Sequence, residues 1–234
     1  MRRAPFALLV ALALPLLAMT SAHVALADAP QAPAPTAAGA ADTAAVVTKV
    51  QAFYDKTQTF TSDFTQEFWV KAYNQKKHSK GKVTIQKPGK MHWHYDDPRD
   101  NKVVSDGATI KIYEAANKQM YEQAVDKSQF PAALSFLTGT GKLADTFTFE
   151  LFPGEKLAFP GGQVLVGTPK VATPAYQKVL FYIDAATSQV RQVMVLDGQG
   201  NRNKFVFVSP RVNDVIPPEH FKFTPPAGTQ IVKP

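Results

Sequence analysis

Apolar residues first recur at helical spacing: Val46, Val47, Val50, Phe53 and Tyr54, with Thr57, fall three and four positions apart. This predicts a helix to about Lys56, starting at Asp42 or Thr43, either of which carries the oxygen a helix N-terminus uses. Its apolar stripe must be buried, most simply against a sheet. From Phe60 the period drops to two: Phe60, Phe64, Phe68 and Val70 share one face, and Asp63, Thr65 and Glu67 the other. Residues 81–87 alternate again. After a bend at Pro88-Gly89, Met91, Trp93 and Tyr95 point one way while His92 and His94 point the other. Ser105-Asp106-Gly107 predicts a hairpin turn between strands 102–105 and 109–113, and alternation continues to Tyr121.

The middle of the chain breaks the alternation. Residues 130–137 (FPAALSFL) predict a short helix with Pro in its first turn and Gly139 as its stop, and a further turn is expected at Lys142–Asp145. Strands resume at 146–152, 162–166, 177–183, 189–196 and 203–209, and a last one is expected at His220–Thr224. About ten strands with two or three scattered helices, and no strand–helix–strand rhythm, imply one curved antiparallel sheet with helices on its concave side. Strands 179–183, 193–196 and 205–208 are apolar on both faces. Such a sheet either curls on itself around an ordinary core or encloses something greasy.

The ends of the chain have a different character. Arg2 and Arg3 precede an apolar stretch from Ala4 to Met19, and Ala25-Leu26-Ala27 follows, so residues 1–27 are expected to be a secretory signal peptide cleaved before Asp28. Residues 28–41, rich in Ala and Pro, are expected to form a flexible leader, and residues 42–234 a single domain. Export places the protein in the periplasm, where ATP or NAD chemistry is poorly supplied. Of 234 residues none is Cys, so disulfides, thiolate nucleophiles and cysteine–metal sites are excluded.

Catalytic signals are absent. Thr138-Gly139-Thr140-Gly141-Lys142-Leu143 lacks both the first Gly and the final Ser or Thr of a phosphate loop, and Ser105 lacks a G-x-S-x-G setting. Asp96 and Asp97 sit on opposite strand faces, unsuited to an acid/base pair. His92 and His94 share a face and could hold a metal only with a third ligand, such as His78 or His220; a polar outer face is the simpler reading. No catalytic residue, metal or cofactor is assigned. Between Phe68 and Tyr95 lie seven lysines (71, 76, 77, 80, 82, 87 and 90). They suit either plain solvation or docking to an anionic membrane or acidic protein. Nucleic acid is not expected in an exported chain.

Several short motifs, in order, resemble the periplasmic LolA lipoprotein carriers. They are Phe60-x-x-x-Phe64-Thr65-Gln66, Gly81-x-Val83, Lys87-Pro88-Gly89-Lys90-Met91-x-Trp93-x-Tyr95, Val103-Val104-Ser105-Asp106-Gly107, Asp197-x-x-Gly200-Asn201 and Phe221-x-Phe223-x-Pro225-Pro226-x-Gly228. The resemblance implies a mainly β fold with an α lid: an unclosed, strongly curved antiparallel β-barrel of about 10–11 strands covered by short helices. It implies a monomeric, non-enzymatic chaperone that shields the acyl chains of lipoproteins. Such a protein receives them from an inner-membrane ABC complex and gives them to an outer-membrane acceptor. A related periplasmic lipid or glycolipid binder or sensor is the alternative. By position, Tyr54, Phe64, Met91 and Trp93 correspond to the acyl-chain cavity, and Val50, Phe130, Leu134 and Leu137 to the helical lid. Many carriers have Arg before the Pro, hydrogen-bonded to lid carbonyls; here Lys87 stands as the lid latch. On this reading glutamate at Met91 or Trp93 impairs acyl retention and leaves folding nearly intact.

Overall fold

The computed structural model describes residues 37–125 and 135–233. The expected signal peptide 1–27, residues 28–36 of the expected leader, and Phe130 and Leu134 of the expected lid lie outside the described residues. Helix α1 (Ala37–Asp55) starts before the expected Asp42 because the preceding alanines are good helix formers. Thr43 therefore does not cap it. Its hydroxyl lies inside the helix and donates to the Gly39 carbonyl at 2.7 Å.

Twelve strands follow in one sheet: β1 (Thr59–Val70), β2 (Gln75–Gln86), β3 (Lys90–Asp97), β4 (Lys102–Asp106), β5 (Thr109–Glu114), β6 (Gln119–Ala124), β7 (Phe147–Pro153), β8 (Gly162–Pro169), β9 (Lys178–Asp184), β10 (Val190–Leu196), β11 (Arg202–Val212) and β12 (Gln230–Val232). Between β6 and β7 come the one-turn helices α2 (Ser135–Thr138) and α3 (Leu143–Thr146). The spatial order is β12-β6-β5-β4-β3-β2-β1-β11-β10-β9-β8-β7, so β12 and β7 are edges and the sheet does not close. Neighbours are antiparallel except β12, which runs parallel to β6. This is the mainly β, open, curved barrel with few helices that the alternation and the motifs implied.

The inner face is one continuous core. Phe60, Phe64, Val83, Ile85, Met91, Trp93, Tyr95, Phe181, Phe205 and Phe207 are buried there with Val50 and Tyr54 of α1. The second apolar face of β8–β10 has a simpler cause than cargo. Val164, Val166, Leu180 and Tyr182 form a separate cluster, covered by Leu157 and Phe159 from the turn after β7 and flanked by Phe152 and Met194. Double apolarity in this half of the sheet is ordinary packing on both sides.

Gly81 shows why one motif glycine is required. It pairs with Phe64 on one side and Tyr95 on the other, where the β2–β3 register slips between Lys80 and Gly81. A Cβ there would lie 2.0 Å from the His94 carbonyl oxygen. Ser105, fully buried, donates to the Gly89 carbonyl at 3.0 Å and accepts from the Gly107 N–H at 3.1 Å, joining two turns.

The expected strand at His220–Thr224 is replaced by a 3-10 turn, Pro218–Phe221. Pro217 and Pro218 start it, and Phe221 is drawn under into a buried position. From there the chain crosses the convex face: Lys111 Nζ donates to the Phe223 carbonyl at 3.0 Å, and the Gln230 N–H to the Lys118 carbonyl at 2.8 Å. His92 meets this strap. Its Nδ1 bonds the His220 carbonyl at 2.9 Å, so Nδ1 carries the proton, while Nε2 is buried without a hydrogen-bond partner.

Two outcomes are expected. Gly81→Ala should cost about 3 kcal/mol in urea denaturation, because backbone rather than a movable side chain opposes the new methyl. Burial first, then the charges of His220, His94 and Lys102, lower the His92 pKa to about 4, against the opposing pull of the His220 carbonyl. Unfolded, the ring titrates near pH ~6.5. The unfolded chain therefore binds more protons in between, and the His92 contribution is complete above that value and lost as pH falls toward about 4. His92→Gln should flatten the dependence of melting temperature on pH over that window.

Candidate functional site

The site is the concave interior and the helices that cover it. Tyr54, Phe64, Met91, Trp93, Val50 and Leu137 are all buried in the same cluster, so the structure brings together the described residues expected at the cavity and the lid. Aromatic rings fill the space edge to face. Phe64 meets Trp93 at 4.8 Å and Tyr95 at 5.2 Å between centroids, and Trp93 meets Phe205 at 5.3 Å. On the lid side Tyr54 meets Phe136 at 4.8 Å, and Phe136 meets Phe181 at 5.4 Å. In this structure the residues touch one another as a packed core.

Polar bonds gather along one rim. Lys87 Nζ donates to the carbonyl of Tyr54 in the last turn of α1, while its own N–H donates to the Gln58 carbonyl at 2.9 Å. The Lys87 stem lies against Gly139, where a Cβ would come within 2.8 Å of Lys87 Cδ; Gly139 also has φ +71°. The positive φ is what favours glycine there. Beside it the Gly89 N–H donates to the Thr138 carbonyl at 2.9 Å, tying the turn before β3 to the end of α2. Burial lowers the Lys87 pKa, and nearby Asp55 partly offsets this. Lysine thus meets α1 with a single donor where a guanidinium would offer a fork.

Two further fasteners were not legible as such. The Tyr54 hydroxyl accepts the Val190 N–H at 3.1 Å, at the irregular start of β10. Burial drives the phenol pKa upward, so it stays neutral. Gln51 Oε1 accepts the Leu143 N–H at 2.9 Å and so joins α1 to α3. Phe136 was also missed, although it is the aromatic link between α1 and β9. A polar residue one turn from an apolar stripe is a weak signal for Gln51. For Phe136 the signal was the period of the short helix itself.

The histidines do not assemble a metal centre. His220 does reach His92, with ring centroids 4.7 Å apart, but His94 turns to Asp100 at 3.6 Å. Among the described residues no group of three or more His, Asp or Glu could hold a metal ion.

Residues 55–224 match the family described as Outer membrane lipoprotein carrier protein LolA. The chain belongs to this family. An outer-membrane lipoprotein carrier protein of Chromobacterium violaceum is 26% identical over 193 residues, covering 81% of this chain and 88% of the relative. One from Pseudomonas fluorescens is also 26% identical over 193 residues, covering 80% and 87%. Among solved structures, an uncharacterized conserved protein of Thermus thermophilus superposes with a TM-score of 0.51 at 12% identity, over 82% of this chain and 99% of that one. That likeness bears on the fold alone. Within the LolA family frame, Lys87 occupies the position before Pro88 and contacts a helix carbonyl.

Lys87→Met should cost about 2 kcal/mol in urea denaturation, the usual worth of a hydrogen bond to a charged donor, whereas Lys87→Arg should lose much less.

Proposed function

We propose that this protein is a periplasmic carrier that takes the acyl chains of lipoproteins between α1–α2 and the concave sheet. The observation that supports it most is how the cover is held. An interior of Phe, Trp and Met lies beneath helices joined to the rest of the fold by few hydrogen bonds: Lys87 and Gly89 at one rim, Gln51 to α3, and the Tyr54 hydroxyl to Val190. Opening along that rim would expose a continuous apolar surface made by Val50, Tyr54, Phe64, Met91, Trp93 and Leu137.

Magnitudes favour such an exchange. Each buried methylene is worth about 0.8 kcal/mol, so ten supply about 8 kcal/mol. Three or four lost hydrogen bonds at the rim cost about 3–6 kcal/mol together. An acyl chain can therefore displace the lid where it also replaces the burial that Val50, Tyr54, Phe136 and Leu137 lose on opening, and the lid's re-closure assists release. Receipt from an inner-membrane ABC complex and delivery to an outer-membrane acceptor complete the proposed route.

Complete burial of Met91 and Trp93 revises the expected behaviour of glutamate variants. A carboxylate there has no partner in the closed form and would cost about 3 kcal/mol or more, so folding would suffer along with retention. The better test leaves the chain unaltered. It is to be exported into a periplasm, purified without detergent and examined by native mass spectrometry beside a delipidated sample. Adducts that fragment to an acylated polypeptide are expected. Phospholipid or glycolipid adducts would move the assignment to a lipid binder. An empty spectrum, with no uptake of an apolar probe after delipidation, would overturn the proposal.

A further inference from the structure

The polar run before Gly81 is a strand, not a loop. β1 and β2 pair without interruption from Thr59 with Gln86 to Val70 with Gln75 and are closed by the turn Lys71–Tyr73 and Asn74. β3 pairs with β2 only from Lys80 onward, so the last rungs of this hairpin project beyond β3. On the other side the tip is braced: the Lys71 N–H donates to Asn201 Oδ1 at 3.0 Å, and Arg202 lies over the Trp69 ring at 4.9 Å. Trp69 Nε1 donates to Asn74 Oδ1 at 3.0 Å, which fixes the turn. The projection is therefore built to hold a shape.

What it holds up is basic and ends in an aromatic ring. Lys71, Lys76, Lys77, Lys80, Arg202 and Lys204 lie on the tip and the rungs beside it. The carboxylates near them are Glu67, Asp97 and Asp197. Glu67 pairs with Lys76 at 3.2 Å, and Asp197 accepts the N–H groups of Gln199 and Asn201 within its own turn. Tyr73, at the apex, is 81% exposed. Burial of its ring contributes almost nothing to folding.

We propose that this tip docks end-on, and reversibly, at the surface of an anionic phospholipid bilayer. Tyr73 would enter the headgroup layer, where a ring with a polar end is well placed, and the lysines would meet lipid phosphates. The arrangement of charge selects a bilayer over an acidic protein. Lys76 stands on the outer face of β2, Lys77 on the inner face, and Lys71 at the turn, so cations flank the tyrosine on both faces of the hairpin, with Lys80 set further back on the outer face. A planar layer of anions approached end-on engages the three at the tip at once, whereas a protein groove engages one face. The twelve residues of β2, at about 3.3 Å each, separate this tip from Lys87 by close to 40 Å. Docking is thus separable from the grip on the helices, and it does not depend on the identity of any cargo.

The test is sedimentation of the mature chain with vesicles of phosphatidylcholine alone or with phosphatidylglycerol added. Binding is expected only to the anionic vesicles, and release at about 0.5 M salt. Lys71→Gln, Lys76→Gln and Lys80→Gln together should weaken it about tenfold or more, and Tyr73→Ser about threefold. Both variants should keep the wild-type melting temperature and apolar-probe uptake, since all four side chains lie outside the core. Equal binding to neutral vesicles, no binding to either, or unchanged binding of the triple variant would overturn the proposal. So would binding to polyglutamate without binding to anionic vesicles. Loss of probe uptake with vesicle binding intact would instead count against the carrier reading.

Discussion

An open sheet with an apolar concave face cannot leave that face in water. Twelve strands curl without closing, and their inner side presents Phe60, Phe64, Met91, Trp93, Phe181, Phe205 and Phe207. Every other feature of the interior follows from the need to cover these groups. α1 supplies Val50 and Tyr54, α2 supplies Phe136 and Leu137, and their contacts are mostly ring against ring. A cover made by short helices differs from one made by a second sheet: few backbone hydrogen bonds join it to what lies beneath. It is held by burial, which an acyl chain can replace, and by a few side-chain bonds at its ends.

Besides the interior residues Phe64, Met91 and Trp93, the family resemblance rests on positions that shape the frame. Gly81 permits a close strand crossing, and Ser105 ties two turns together. Asp106 accepts the N–H groups of Ala108 and Thr109, as Asp197 does those of Gln199 and Asn201. These are turns and close contacts where one side chain fits and others do not. The lining, by contrast, asks only for apolar bulk, which many sequences provide.

The convex side is managed separately. The turn after β7 covers one half, and the strap from Pro218 to Val232 crosses the other, ending as a strand parallel to β6. His92, a polar-face residue by alternation, ends up partly covered by this strap. Its burial comes from residues more than a hundred positions away, which is why no local pattern announced it.

How much could be read from the chain follows the range of the forces involved. Alternation in β1 and β3, the amphipathic stripe of α1 and the turn residues at Ser105–Gly107 and Asp197–Asn201 are local consequences of backbone geometry, so sequence alone determined the mainly β fold and its curvature, while the open form and the grouping of Tyr54, Phe64, Met91 and Trp93 came from the resemblance of its motifs. The first half of β2 escaped notice because QKKHSK buries too little to alternate. His220–Thr224 looked like a strand because two phenylalanines alternate there, yet Pro217 and Pro218 start a 3-10 turn that takes up its first residues. Tertiary structure alone decided which carbonyl Lys87 reaches, that the Tyr54 hydroxyl satisfies Val190, and that the second apolar face of β8–β10 packs under a turn. Those outcomes depend on where distant segments meet in space, and single hydrogen bonds between them leave no periodic trace in the sequence.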